Sequence, residues 1–258
     1  MHLSQDCTLA VDAAAARQMA DVLAAAFGSG QAVPGVPLVA AMRLAADAAA
    51  LVSWRADAAG DRLYLHESQT IRTRRPLSAG ETLSASFEAQ LSDNSAGFSM
   101  TAADAEGAPA VQLTTRLRRG TPALLLAARA GMRAAPDPAP GAHAFLSAPL
   151  TPELIAAYAD AAGDHNPLHV DLELTQALGL PERIVHGMLL AGLAEPALAA
   201  AGVPGRLAEL RVRFLAPVHA GERVRLVVTP QPAAGKARVL VAVENGPIAC
   251  IADAVTGA

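Results

Sequence analysis

Aromatic side chains are scarce in this chain: one Trp, two Tyr and five Phe make up 3% of 258 residues. Basic residues number 20 against 24 acidic ones, a net charge of −4. Without stacking rings or a polycationic surface, the usual means of holding nucleic acid are missing. Cysteine is almost absent. Cys7 and Cys250 stand at opposite ends of the chain with no metal-type spacing, and read as two free thiols. No apolar run is long enough for a bilayer, which needs about 20 residues; the stretch Val36 to Val52 stops short and carries Arg43 and Asp47. The opening Met-His-Leu-Ser-Gln-Asp has neither the basic region nor the apolar run of a signal peptide, so a cytoplasmic location is expected. What the chain does have is apolar content, 52%, ample for one large domain or two small ones.

An internal repeat organises that content. Ile71-Arg-Thr-Arg-Arg-Pro76-Leu-Ser-Ala-Gly80-Glu81 superimposes on Val212-Arg-Phe-Leu-Ala-Pro217-Val-His-Ala-Gly221-Glu222 at an offset of 141. In each copy an alternating strand meets a proline, Ala-Gly-Glu turns the chain, and a second alternating strand begins, Leu83 to Phe87 and Val224 to Val228. Further turn signals follow at Asp93 to Gly97, Glu106-Gly107, Pro230 to Gly235 and Glu244-Asn245-Gly246, so each half ends as an antiparallel meander. Ahead of each meander lies an Ala/Leu-rich helix, Pro37 to Leu51 and Gly187 to Ala200, the second interrupted by Pro196. The Pro-rich run Ala134 to Gly141 joins the halves. The expected architecture is α+β, a long helix wrapped by an antiparallel sheet, built twice.

The chemistry-bearing residues are concentrated in one place. Gly163-Asp164-His165-Asn166-Pro167-Leu168-His169 sets an acid and an imidazole five positions apart, and Ile184-Val185-His186-Gly187-Met188-Leu189 follows with a glycine opening the second helix. Together with Tyr158 and Asp171, this two-part pattern resembles the signature of the MaoC-like (R)-specific enoyl-CoA hydratases, or hydratase 2. The resemblance covers about residues 145–258 and implies the hot-dog fold. The first half resembles more loosely the degenerate N-terminal hot dog of two-domain members, through Tyr64-Leu-His66 and the Arg75 to Glu81 turn. Ala162 departs from the pattern, where many members carry a small hydroxyl residue. The expected division is a degenerate N-terminal hot dog over 1–128, a Pro/Ala linker over 129–144 and a catalytic C-terminal hot dog over 145–258.

What the resemblance implies is (R)-specific hydration of 2-enoyl-CoA, or the reverse dehydration. The residue types suit that reaction. Adding water across the double bond needs a base for the water, an acid for the α-carbon and a donor at the thioester oxygen. Asp164 and His169 can share the first two duties around one water, and the Gly187 N–H can serve the third. Asn166, His186 and Met188 are the expected substrate-binding residues, with Asn166 fixing the loop or the water and Pro167 stiffening the turn. No metal and no cofactor are expected; coenzyme A or an acyl-carrier thioester is the substrate itself. Acyl carrier protein and a homodimeric partner are both admitted.

Each residue also has a blander reading. Asp164 and Asn166 make Asx turns wherever they occur, and His186 before a helix is as readily a packing residue as a contact. His165, His169 and Asp171 suggest a metal, but without HExxH-type spacing. Arg72, Arg74 and Arg75 suit coenzyme A phosphates or a carrier face, yet alternate strand positions are usually solvated. His66 and His219 receive no role. Two other function classes stay open. A hot-dog thioesterase would use a carboxylate on the central helix, where Glu195 lies eight residues after Gly187 and about 80° away in phase; a non-catalytic acyl-binding protein would lack the acid/base pair. A 3-hydroxyacyl-carrier-protein dehydratase is the alternative within the same chemistry. Because the first helix enters through Gly35-Val36-Pro37-Leu38 with no His-Gly, one active site per chain is expected, the first copy serving as a wall for the acyl chain.

Overall fold

The computed structural model describes residues 2–28, 30–33, 35–51 and 63–257; Val52, the end of the apolar stretch noted above, lies outside them. In chain order the elements are β1 (His2–Ala10), α1 (Ala13–Phe27), a 3₁₀ turn (Leu38–Ala40), α2 (Ala41–Leu51), β2 (Leu63–Thr73), β3 (Thr82–Leu91), β4 (Ser95–Ala103), β5 (Pro109–Gly120) and α3 (Pro122–Gly131). The second half runs β6 (His143–Leu146), α4 (Pro152–Ala162), α5 (Pro167–Val170), α6 (Leu172–Ala177), α7 (Gly187–Gly192), α8 (Ala194–Ala200), β7 (Arg206–Phe214), β8 (Val224–Pro230), β9 (Lys236–Val243) and β10 (Ile248–Gly257). None of the described helices is long and apolar enough to cross a membrane.

All ten strands of the described residues join one antiparallel sheet in the order β1-β3-β4-β5-β2-β7-β10-β9-β8-β6. The two halves meet where β2 pairs with β7, Gln69 opposite Val212, Ile71 opposite Leu210 and Thr70 opposite Arg211. Shifting each number by 141 turns the first pair into the second and Thr70 into Arg211, so the seam is self-complementary, like the interface of a twofold dimer. The turn residues obey the same relation, while the upstream carbonyls they meet are 139 apart. Gly80 donates to Val11 and Gly221 to Leu150, both at 2.8 Å. The Ser78 N–H meets the Glu81 carboxylate at 2.6 Å, and the His219 N–H meets that of Glu222 at 2.8 Å. The glutamate of the Ala-Gly-Glu turn therefore closes the turn in each copy. The fold is the hot dog, twice.

Local sequence accounts for the elements. In β3, Leu83, Ala85, Phe87 and Ala89 are buried in alternation with exposed neighbours, the period of a half-buried strand. Asp12 caps α1 by accepting from Ala14 and Ala15, and Thr151 with Pro152 starts α4. The second central helix divides at Leu193 into α7 and α8. Pro196 has no N–H for Gly192 and its ring would strike that carbonyl, whereas in the first turn of α8 no intrahelical donor is needed there. The first central helix begins as a 3₁₀ turn at Leu38. Helix α3 is not among the elements expected from the sequence pattern; its local signals are Thr121 as cap and Pro122 at its first position. It runs across 128/129.

One continuous apolar core joins the two halves, with Leu23, Phe27, Leu38 and Phe87 from the first and Ile155, Leu189, Leu210 and Val239 from the second. A smaller cluster of Leu63, Leu168, Leu180 and Ile184 fastens the start of β2 to α5. This second cluster brings the first half against the chemistry-bearing loop.

Candidate active site

Helix α4 ends on Gly163 in the left-handed region, φ +67°, where a side chain would be strained and would press on Arg43. That turn delivers Asp164, whose N–H returns to the Ala159 carbonyl at 3.0 Å. Its Oδ1 accepts from the Asn166 N–H at 3.3 Å, and Asn166 in turn caps α5 by accepting from Leu168 at 3.1 Å. The Asx turn thus fixes the Asp164 carboxylate on the same short loop as His169. His169 lies on α5 and donates Nδ1–H to the Ile184 carbonyl at 2.6 Å. His186 caps α7 from outside and donates Nε2–H to the Asp164 carbonyl at 2.9 Å. The two imidazoles stack with centroids 3.8 Å apart.

Each imidazole therefore spends one nitrogen on a backbone carbonyl, and its other nitrogen carries the lone pair whenever the ring is neutral. A ring nitrogen of His169, one of His186 and a carboxylate oxygen of Asp164 lie within 4.8 Å of one another. His165 and Asp171 do not join them: His165 pairs with Asp160 at 2.9 Å, and Asp171 caps α6. Burial pushes the Asp164 carboxyl up, but the fields of His169 and His186 and the Asn166 N–H outweigh it and hold it below the usual range. Burial, reinforced by His169, takes His186 down to about 3.

A cavity of about 410 Å³ opens on this cluster. Asp164, Asn166, His169, His186, Gly187 and Met188 all border it, so every site residue expected from the sequence is brought to one place. Gly187 heads α7, and its N–H has no carbonyl of its own helix to meet. A Cβ there would fall 2.9 Å from the Phe214 ring. The neighbour that demands glycine is thus a protein ring.

The first half supplies the opposite wall. Met42, Ala45, Ala46 and Ala49 present one face of α2 to the cavity, opposite Phe98 and Thr115 of the sheet. His66, which had no expected role, packs on Phe214 at 4.5 Å and contacts Gln69 at 3.2 Å, while the Thr115 hydroxyl donates to the same Gln69 oxygen at 2.7 Å. Burial holds His66 down to about 4, a neutral ring. Tyr158, another residue without an expected role, borders the cavity with its ring 5.0 Å from that of His186. Helix α3 adds Leu124, Leu125 and Ala128. Its Arg129 grips both Glu222 oxygens, at 3.0 and 2.5 Å, and the Pro217 carbonyl at 2.9 Å. Arg72 and Arg75 are engaged elsewhere, with Glu209 and with Glu81 and Asp104, and none of the Arg72, Arg74 and Arg75 run borders the cavity. Nor does Glu195, which accepts from the Leu38 N–H at 3.0 Å.

The fold and this cluster define a double hot-dog protein with its polar site in the second copy. Residues 137–248 match the family model of the MaoC like domain. Over 179 residues the chain is 34% identical to 3-hydroxyacyl-thioester dehydratase Y of Mycobacterium tuberculosis, covering 64% of this chain and 61% of the relative. Over 73 residues it is 37% identical to the mitochondrial 3-hydroxyacyl-[acyl-carrier-protein] dehydratase of Arabidopsis thaliana, covering 28% of this chain and 43% of the relative. The chain thus spans less than two thirds of either curated relative. Among solved structures, HtdX of Mycobacterium tuberculosis superimposes with a TM-score of 0.72 at 20% identity, over 98% of this chain and 99% of that one.

Proposed function

We propose that the protein is a hydro-lyase that adds water to 2-enoyl thioesters to give (3R)-hydroxyacyl thioesters, and runs the reverse dehydration, at Asp164 and His169. The observation that carries this reading is the convergence of the Asp164 carboxylate and the His169 and His186 rings, one polar atom of each within 4.8 Å of the others, at the wall of a largely apolar cavity. In hydration, the water gives a proton to Asp164 or His169 as its oxygen bonds to C3. C2 receives a proton from the same pair, so the elements of one water are added and both groups end as they began. The Gly187 N–H is the proposed donor to the thioester oxygen, where enolate charge develops. Asn166 holds the loop, and His186 and Met188 complete the pocket. The first half, whose sequence has no Gly-Asp-x-Asn-Pro-x-His run, is the proposed degenerate copy that walls the acyl chain.

The test is loss of enoyl-thioester absorbance on adding crotonyl-CoA and longer 2-enoyl-CoAs, with chiral analysis of the product. Turnover yielding the 3R alcohol supports the reading, and the 3S alcohol refutes its stereochemistry. Turnover of carrier-bound but not CoA thioesters would move the substrate to acyl carrier protein; hydrolysis of the thioester would replace the reading with a thioesterase.

A further inference from the structure

Two polar atoms beside the acid/base pair have no partner in the protein. Tyr158 and His186 are each 1% exposed, and neither Tyr158 Oη nor His186 Nδ1 meets a donor or acceptor among the described residues. Their rings pack 5.0 Å apart on the wall of the same cavity. Leaving buried polar groups unpaired costs stability, so two kept side by side point to a ligand that completes both.

The chemistry of the pair narrows that ligand. His186 Nε2 faces a carbonyl, the Asp164 oxygen, and must carry the hydrogen. Nδ1 is then an acceptor only, because burial keeps the ring neutral. Burial, with the Asp164 charge adding to it, also keeps the Tyr158 phenol protonated, hence a donor. A carbonyl oxygen would take the Tyr158 hydrogen but leave Nδ1 unpaired. An ammonium would satisfy Nδ1 but leave the Tyr158 hydrogen unpaired. A hydroxyl does both, its oxygen accepting from Tyr158 and its hydrogen going to His186.

We propose that Tyr158 and His186 form a hydroxyl-binding pair that holds the substrate's 3-hydroxyl, or the water it becomes, beside Asp164 and His169. The assignment rests on the hydro-lyase reading and extends it by adding Tyr158 to the groups that touch substrate. In dehydration the base takes the C2 proton, the C2–H electrons form the double bond, the C3–O bond breaks and the acid protonates the departing oxygen. Tyr158 and His186 exchange no proton; they orient that oxygen while its bond to C3 is lost.

Binding tests this without turnover. In an Asp164→Asn background, calorimetry compares (3R)-3-hydroxyacyl-CoA with the saturated acyl-CoA of equal length, in a C4 and a C10 pair. The hydroxy ligand is expected to bind about 10-fold more tightly, and adding Tyr158→Phe is expected to abolish that preference while sparing the saturated ligand. The melting temperature of Tyr158→Phe is expected to match or exceed its parent's, since the hydroxyl has no protein partner to lose. Survival of the preference in Tyr158→Phe would overturn the assignment, and so would loss of both affinities together with a lowered melting temperature. No preference in the parent would overturn the assignment alone. No binding of either ligand would overturn the hydro-lyase reading and the assignment with it.

Discussion

His169 gives its Nδ1–H to the Ile184 carbonyl at 2.6 Å, and that one bond decides what the other nitrogen can do. With the hydrogen on Nδ1, Nε2 carries the lone pair of the neutral ring and is the atom to which the proposed reaction assigns the proton transfer. His169→Ala and Asp164→Asn should each lower kcat/KM by at least about 100-fold. Circular dichroism and melting of the same variants should stay near wild type, because the loop is also held by the Asn166 cap and the Leu168 cluster. A loss below about 10-fold in either variant would remove that residue from the chemistry.

Gly187→Ala sets two effects against each other. Alanine is the better helix former by about 1 kcal/mol, but its Cβ would lie 2.9 Å from a Phe214 ring that His66 backs at 4.5 Å. The ring has little room to swing away, so overpacking should win, with a net loss of about 1–2 kcal/mol and a clear fall in activity. Combining it with Phe214→Leu should recover most of the melting temperature. An additive double variant would show that the two residues do not meet.

Arg129 ties the helix over the cavity to the second Ala-Gly-Glu turn. Arg129→Ala frees α3 at its last turn and leaves the Glu222 carboxylate with the His219 N–H. The expected signature is a KM raised several-fold at nearly constant kcat, with a stability loss of about 1 kcal/mol, since the pair is only partly buried. A fall in kcat at constant KM would place the effect in the chemistry instead.

Glu195 makes stability depend on pH. Burial raises its carboxyl to about 7, against the opposing Leu38 N–H and the Arg206 charge, from 4.5 when unperturbed. A carboxyl whose folded pKa lies above its unfolded one binds protons more tightly when folded. Its contribution is full below about 4.5 and is lost as pH rises to about 7. The side chain is partly accessible, so the loss should be about 1–3 kcal/mol. Melting temperatures at pH 5 and pH 8 should differ less in Glu195→Gln than in wild type; an equal difference would clear Glu195 of the effect.

The repeat at an offset of 141 and the loop from Gly163 to His169 were legible because each is local: turn residues, alternation and fixed spacing are written in consecutive positions. His66 was not legible. Read by simple alternation along β2, it shares a face with Ser68, Thr70 and Arg72, outside the core. A bulge between His66 and Ser68 changes the phase and turns the ring inward to Gln69 and Phe214. Tyr158 stood in the signature as a letter without a role; its unpaired hydroxyl exists only once α4 is laid against His186. Phe214 against Gly187 likewise belongs to a contact between β7 and α7 that no sequence period encodes.

The self-complementary seam through Thr70 and Arg211 joins within one chain what two separate subunits would have to find by collision. Tethering fixes the local concentration of one copy around the other. A cavity walled from both sides therefore stays assembled at any dilution. It also frees each copy to change alone. A change in a symmetric dimer appears on both sides of the axis at once, whereas here His66 stands on one wall and Asp164 on the other, each present once.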